Sequence, residues 1–499
     1  MMQKEREQVN TVASQYAVPA LSALISGLAA YLYVFTNKLL NLDEIAGLFA
    51  KGESISSGRW ALALTSYIFP DVSMPWVNGM LSLLMLTVAA CITVRVFEIK
   101  SGVIKAVLAA QMIVFPSQTV TFSYMFTCAP YALAVLLAVG SVYVVLCRAE
   151  RSRFIPAAIM LVFSLGIYQA YLAVAASFCV VYLIKRTLDD EWTPAQIIRC
   201  GVACLAYLVL SLAVYFVVNK LTMLITHTEY NSYADASFQT DLPSLLFGLR
   251  VAFTAFLGYF YKGYYHLIAT PLSTVMHLVC AVIVGVELAV YCVRHRASIK
   301  RVGLLAWLII LVPLSVNCLY IISAQRHTLM LYSFVAVYIL AAVAAESIMG
   351  QTHTRARDVL IASMAVVVLC NVLYANRLYL KMKLEYENAY SFYSTLATRI
   401  KTTDGYDGDT MVLIRGDAHE LLHESTEIDT SDLVGIMEGL INVYSRDDFI
   451  TYYAGFDPPA FDWAKWDASG AGAEIDDMPI YPYDGSVKKI GDFIVVKLG

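Results

Sequence analysis

Residues 76–97 read WVNGMLSLLMLTVAACITVRVF. Arg95 is the one charged side chain in the run. At about 1.5 Å per residue, a helix of this length reaches roughly 30 Å, the thickness of a bilayer's hydrocarbon. Working outward, runs of similar character occupy 17–36, 198–219, 272–293, 303–323, 328–347 and 358–376. Two further stretches, 102–147 and 154–185, are too long for one crossing and have basic residues at both ends, so each is expected to go out and come back. Their polar midpoints, Pro116-Ser117-Gln118 and Tyr168-Gln169, mark the expected turns. The expectation is a polytopic α-helical membrane protein with about eleven transmembrane helices.

Composition agrees with that threading. The chain is 59% hydrophobic and 15% charged, with mean hydropathy +0.64, against roughly a quarter charged residues in soluble domains. Charge is unevenly divided. From Arg377 onward there are 22 acidic and 11 basic residues, net −11, which leaves 17 acidic and 24 basic residues, net +7, for the remainder. Such a split marks two environments, here a membrane domain over 1–376 and a soluble acidic domain over 377–499. No basic cluster with interleaved aromatics is present, so nucleic acid is not an expected partner. The ten cysteines all precede the tail and form no CxxC or Cys/His pattern, which argues against a disulfide framework or zinc site. Lys4 and Arg6 before the first apolar run read as the flank of a retained signal anchor.

Orientation follows from the bias of basic residues toward the cytoplasmic side. Lys4/Arg6, Arg95/Lys100/Lys105, Arg148/Arg151/Arg153, Lys185/Arg186/Arg199, Arg294/Arg296/Lys300/Arg301 and Arg355/Arg357 fall on one side of the threading. The N-terminus is therefore expected inside and the tail outside. Three outward segments exceed a simple turn: 37–75, 220–271 and the tail. The apolar stretch Leu242 to Tyr261 is expected to be interfacial or re-entrant, with a paired crossing as the competing option. In the tail, 377–402 reads as a helix. Met411-Val412-Leu413-Ile414, stopped by Arg415-Gly416-Asp417, reads as a buried strand, and Phe493-Ile494-Val495-Val496 as a final strand, giving a small α/β domain.

Candidate chemistry gathers in the outward segments. Asp43 and Glu44 lie just past the first span, where a shielded carboxylate suits a general base. On spacing alone the pair suits better the first turn of an amphipathic helix over 43–51. Arg59 and Trp60, entering an amphipathic stretch at 59–69, suit either a lipid phosphate and a sugar face or an interfacial anchor. Arg326 sits between two apolar spans on the side poor in positive charge, where a guanidinium matches a phosphate bidentately. Its alternative is a snorkelling arginine in a tight turn. Tyr124, Tyr168, Gln169, Lys262 and His266 line outward turns and either shape a polar cavity or are structural. No phosphate-binding loop, HExxH, GxSxG or dinucleotide fingerprint occurs.

Several segments in order resemble the GtrII-type O-antigen glucosyltransferase family. They are the outer acidic pair, Ser57-Gly58-Arg59-Trp60, Met74-Pro75-Trp76, Phe122-Ser123-Tyr124-Met125-Phe126-Thr127 and Leu165-Gly166-Ile167-Tyr168-Gln169-Ala170-Tyr171. The likeness covers roughly 15–380 and fades in the tail. It implies the GT-C class of membrane glycosyltransferases in a bacterial cytoplasmic membrane. The implied donor is a polyprenyl-phosphate sugar, usually undecaprenyl-phosphate glucose, used on the outer leaflet, and the implied acceptor is a surface glycan. By position Asp43 would be the base, with Glu44 assisting, and Arg326 would take the donor phosphate, helped by Arg59 or Lys262. In-line attack implies inversion, and a lipid-monophosphate leaving group implies that no metal or other cofactor is needed, the alternative being a divalent cation held by Asp43 and Glu44, as in some GT-C members. A transporter or flippase of lipid-linked glycans is the rival of another class. It should show inverted repeats and interrupted midplane helices, and no repeat is visible. A glycan polymerase or ligase is the nearest enzymatic rival.

Overall fold

The computed structural model describes residues 2–46, 54–69, 72–231, 241–261, 270–296, 298–321, 328–350, 353–418 and 441–499. The chain divides into two compact units, one of Met1–Lys38 with Gly52–Asn376 and the other of Leu39–Lys51 with Arg377–Gly499.

The first unit is helical. Its principal helices are α1 (Met2–Thr36), α3 (Trp60–Thr65), α4 (Pro75–Val96), α5 (Gly102–Ile113), α6 (Pro116–Ser123) and α7 (Met125–Cys147). They continue as α8 (Phe154–Ile167), α9 (Leu172–Leu188), α10 (Pro194–Thr226), α11 (Leu242–Tyr261), α12 (Pro271–Arg294), α13 (Ile299–Val316), α14 (Val335–Ala344) and α15 (Thr354–Lys401), within which the division into units falls. Proline stands in the first turn of α4, α6, α10 and α12, where its missing N–H costs nothing and its fixed φ is already helical. Ser101, Thr193 and Thr270 cap the helices they precede.

Eleven helices among the described residues are long and apolar enough to cross a membrane. Their membership differs from the threading read in the sequence. Leu242–Phe260, expected to be interfacial, is among them, whereas Phe154–Ile167, expected to cross, is shorter. The expected turn at Pro116-Ser117-Gln118 is corrected. Pro116 opens α6, continuing the span Gly102–Ser123, and the break falls at Tyr124, which caps both α6 and α7. Proline suits the first turn of a helix although it breaks a helix interior. At the other midpoint Tyr168 ends α8 and a 3-10 turn over Gln169–Tyr171 leads into α9.

One end of this bundle is densely ionic. Glu98 accepts from Lys185 Nζ at 2.9 Å and Arg186 Nη2 at 2.7 Å. Asp190 pairs with His295 and Arg301, each at 2.9 Å, and buried Glu287 meets His353 at 2.8 Å. The basic segments around 98, 186, 295 and 353 therefore gather at one end. Burial alone raises the Glu98 carboxyl, but the hydrogen bonds and charges of Lys185 and Arg186 bring it below its ordinary value.

The second unit is α/β. Strand β1 (Met411–Arg415) pairs in parallel with β3 (Phe493–Lys497), and β2 (Val487–Ile490) pairs antiparallel with β3, in the order β1-β3-β2. Side chains alternate across a strand. Ile494 and Val496 join Tyr393, Phe449 and Ile45 on one face, while Phe493 and Val495 join Trp466 and Ile475 on the other. Both faces are covered, which explains the continuous apolar run of β3. Gly416, at φ +92°, turns the chain after β1, and any Cβ there would meet the Gly499 nitrogen at 2.5 Å.

A short helix from the 37–75 segment, α2 (Leu42–Ala46), belongs to this second unit. Leu40 and Ile45 are fully buried in its core with Tyr393 and Phe449. The segment was assigned by sequence to the domain spanning 1–376; apolar burial groups it with the tail instead.

Candidate functional site

In the first unit, the loop before α3 is tied to the α8–α9 junction and to α10. Gln169 Nε2 donates to the Ser57 carbonyl at 3.1 Å and to Tyr215 Oη at 2.9 Å. Tyr215 Oη in turn donates to the Gly58 carbonyl at 2.9 Å. Asn231 donates through its backbone N–H to the Ser56 carbonyl at 3.1 Å and through its amide to Ser57 Oγ at 3.1 Å. Gly58 has φ +74°, the left-handed region that glycine adopts without a Cβ clash. That turn delivers Arg59.

Arg59 lies half-buried among tyrosines. Its Nη1 donates to Tyr131 Oη at 3.3 Å, and its guanidinium carbon stands 5.1 Å from the Tyr168 ring centre. The Tyr131 and Tyr168 rings stack at 4.9 Å and 13°, with Tyr171 edge-on to Tyr168 at 5.5 Å. A guanidinium on aromatic faces keeps its planar donor fork while its hydration is reduced. This suits recognition of a phosphate beside a hydroxyl-rich ring. The cluster sits at the opposite end of the α8–α9 hairpin from Lys185 and Arg186.

Of the residues singled out by sequence, Arg59, Tyr168 and Gln169 come together here. Trp60 turns inward, 7% exposed, edge-on to Phe163 at 5.3 Å and against Gly166. Tyr124 is buried at the α6–α7 break, near Phe126. Lys262, His266 and Arg326 lie outside the described residues. Tyr131, Tyr215 and Asn219 were not singled out. Tyr207, Ser211, Tyr215 and Asn219 recur every fourth residue in an apolar span and form its buried face. That polar stripe was a readable signal.

In the second unit, the acidic pair divides. Asn41 Oδ1 accepts from the Asp43 backbone N–H at 2.9 Å and so caps α2. Asp43 is exposed, and Glu44 is 3% exposed. Burial, and then the charge of Glu44, push the Tyr453 phenol above its ordinary range. Among the described residues no three His, Cys, Asp or Glu side chains converge as metal ligands.

These features define a multi-pass membrane protein with a cationic, tyrosine-lined site at one end of its bundle. The chain matches the family described as glucosyl transferase GtrII over residues 32–345, more than half its length, and it belongs to that family. It is accordingly a glycosyltransferase of the membrane-embedded kind. No curated protein and no solved structure matches it.

Proposed function

We propose that the protein moves a glucosyl unit from a polyprenyl-phosphate carrier to a cell-surface glycan on the outer side of a bacterial cytoplasmic membrane. The observation that carries the reading is Arg59, a guanidinium held in a tyrosine cluster away from the ionic end of the bundle. Family membership supports glucosyl transfer. The gathering of basic segments at one end supports a cytoplasmic location for that end, with the N-terminus inside and the C-terminal unit outside.

Outside the cytoplasm a sugar donor must arrive on a lipid, its tail remaining in hydrocarbon. The acceptor hydroxyl attacks the anomeric carbon, and the bond to the carrier phosphate breaks as the new glycosidic bond forms. Asp43 accepts the hydroxyl proton. Its exposure supports this role over Glu44, whose burial supports holding the helix in place. Arg59 meets the charge growing on the departing phosphate, and Arg326 and Lys262 are assigned to the same phosphate on chemical type alone. Tyr168 and Gln169, beside Arg59, are assigned to shaping the sugar site, with His266 added on chemical type alone; the inward-facing Trp60 and the buried Tyr124 support it by packing. In-line attack gives inversion at the anomeric centre. Mass analysis of the surface polysaccharide from cells with and without the gene tests the reading: a single-hexose increment should vanish on deletion and return on complementation. Identical polysaccharides would overturn it.

A further inference from the structure

The C-terminal unit contains a cleft of about 580 Å³, within the roughly 300–1,000 Å³ of small-molecule sites. One wall is the edge strand β1 with Arg415 and Gly416; the other is formed from Val443 to Trp463. Trp463 is 57% exposed, with Phe461 edge-on to its ring at 4.8 Å. Asp447 offers a carboxylate 77% exposed, yet fixed in place. Arg446 Nε donates to one of its oxygens at 2.8 Å, and Arg446 Nη1 donates to the Gly416 carbonyl at 2.9 Å. An exposed aromatic ring, an anchored carboxylate, an arginine and the Thr451 hydroxyl suit a sugar. A sugar presents a C–H face to stack and a rim of hydroxyls to hydrogen-bond. The net charge of −11 over residues 377–499 disfavours polyanions in the same cleft.

The position of the cleft decides which sugar. Helix α16 (Arg446–Tyr452) turns Asp447 and Thr451, one helical turn apart, into the cleft. Its Phe449, with Tyr453 just beyond its end, packs into the core that holds Leu40 and Ile45 of the acidic segment. The cleft and the helix bearing Asp43 thus lie on two sides of one helix, whose diameter is about 10 Å.

We propose that this cleft binds the acceptor glycan and presents it across α16 from Asp43; this rests on the glycosyl-transfer reading above. The test uses the full-length protein in lipid nanodiscs. The probe is unmodified surface polysaccharide isolated from cells lacking the gene. Trp463→Ala and Asp447→Asn should each weaken polysaccharide binding in calorimetry and raise the acceptor KM about tenfold, as expected for loss of one stacking or charged contact. The donor KM and the melting temperature should hold, and Trp463→Phe should restore most of the binding. Unchanged acceptor binding in both variants would overturn the proposal, as would equal loss of donor and acceptor affinity. Wild-type protein that binds the polysaccharide but transfers no hexose would sink the transfer reading and leave the cleft assignment standing.

Discussion

Gly58→Ala probes the joint that delivers Arg59. At φ +74° an alanine pays about 1–2 kcal/mol for the left-handed conformation. Its Cβ would also lie 2.9 Å from Tyr215 Oη and 3.0 Å from Gln169 Nε2. Those atoms make the hydrogen bonds to the Ser57 and Gly58 carbonyls. Each such bond contributes about 0.5–1.5 kcal/mol. Losing one or both, with the backbone strain, destabilises the joint by about 1.5–5 kcal/mol. Both clashing atoms belong to side chains rather than backbone, so the bundle should fold while the loop shifts. A displacement near 1 Å at a reacting group costs about 100-fold in rate. The assay is hexose transfer by purified protein beside its thermal-inactivation profile. Gly285→Ala serves as control, since nothing lies within 4 Å of its Cβ and the change adds about 0.5–1 kcal/mol of helix stability. Wild-type transfer and stability in Gly58→Ala would show that this turn does not position Arg59.

Arg59→Ala should raise the donor KM at least tenfold and leave acceptor affinity alone, and Arg59→Lys should recover only part, because a point charge lacks the planar fork. Equal donor KM in all three proteins counts against a phosphate role. Glu98, held below its ordinary pKa, contributes stability that is present above the unfolded carboxylate pKa of about 4.3 and lost as pH falls through the lower folded value. The stability gap between wild type and Glu98→Gln, measured by thermal unfolding, should therefore be full at pH 6 and close at lower pH; a constant gap contradicts it. Asp484, whose side chain is 99% exposed, gives a topology test. Asp484→Cys should react with an impermeant thiol reagent in intact cells, and labelling only after lysis would reverse the orientation.

Much of the helical architecture was legible because lipid demands long apolar runs whatever the tertiary structure. What escaped notice depended on contacts. Pro116 signals a helix start and a turn with equal force, and only packing placed the break at Tyr124. The acidic segment looked like part of the membrane domain by chain position, yet Ile45 and Leu40 are buried in the core with Tyr393 and Phe449, far along the chain. Distant pairings of that kind leave no local periodicity. In the site, Arg59 and Gln169 were recognisable as polar residues in outward turns, but nothing local in either motif says they share the 57–59 loop. Tyr215 and Asn219 are readable from their four-residue spacing, a signal masked by the strongly apolar span around them.

In the proposed reaction the exposed carboxylate of Asp43 on α2 takes the acceptor's proton as the sugar leaves its lipid carrier. Purified Asp43→Asn and Glu44→Gln proteins, given polyprenyl-phosphate glucose and unmodified polysaccharide, test it most directly. Asp43→Asn should lose about 10²–10⁴-fold in transfer rate with its fold and donor binding intact, while Glu44→Gln should lower thermal stability more than intrinsic rate. Near-normal transfer by Asp43→Asn would contradict it.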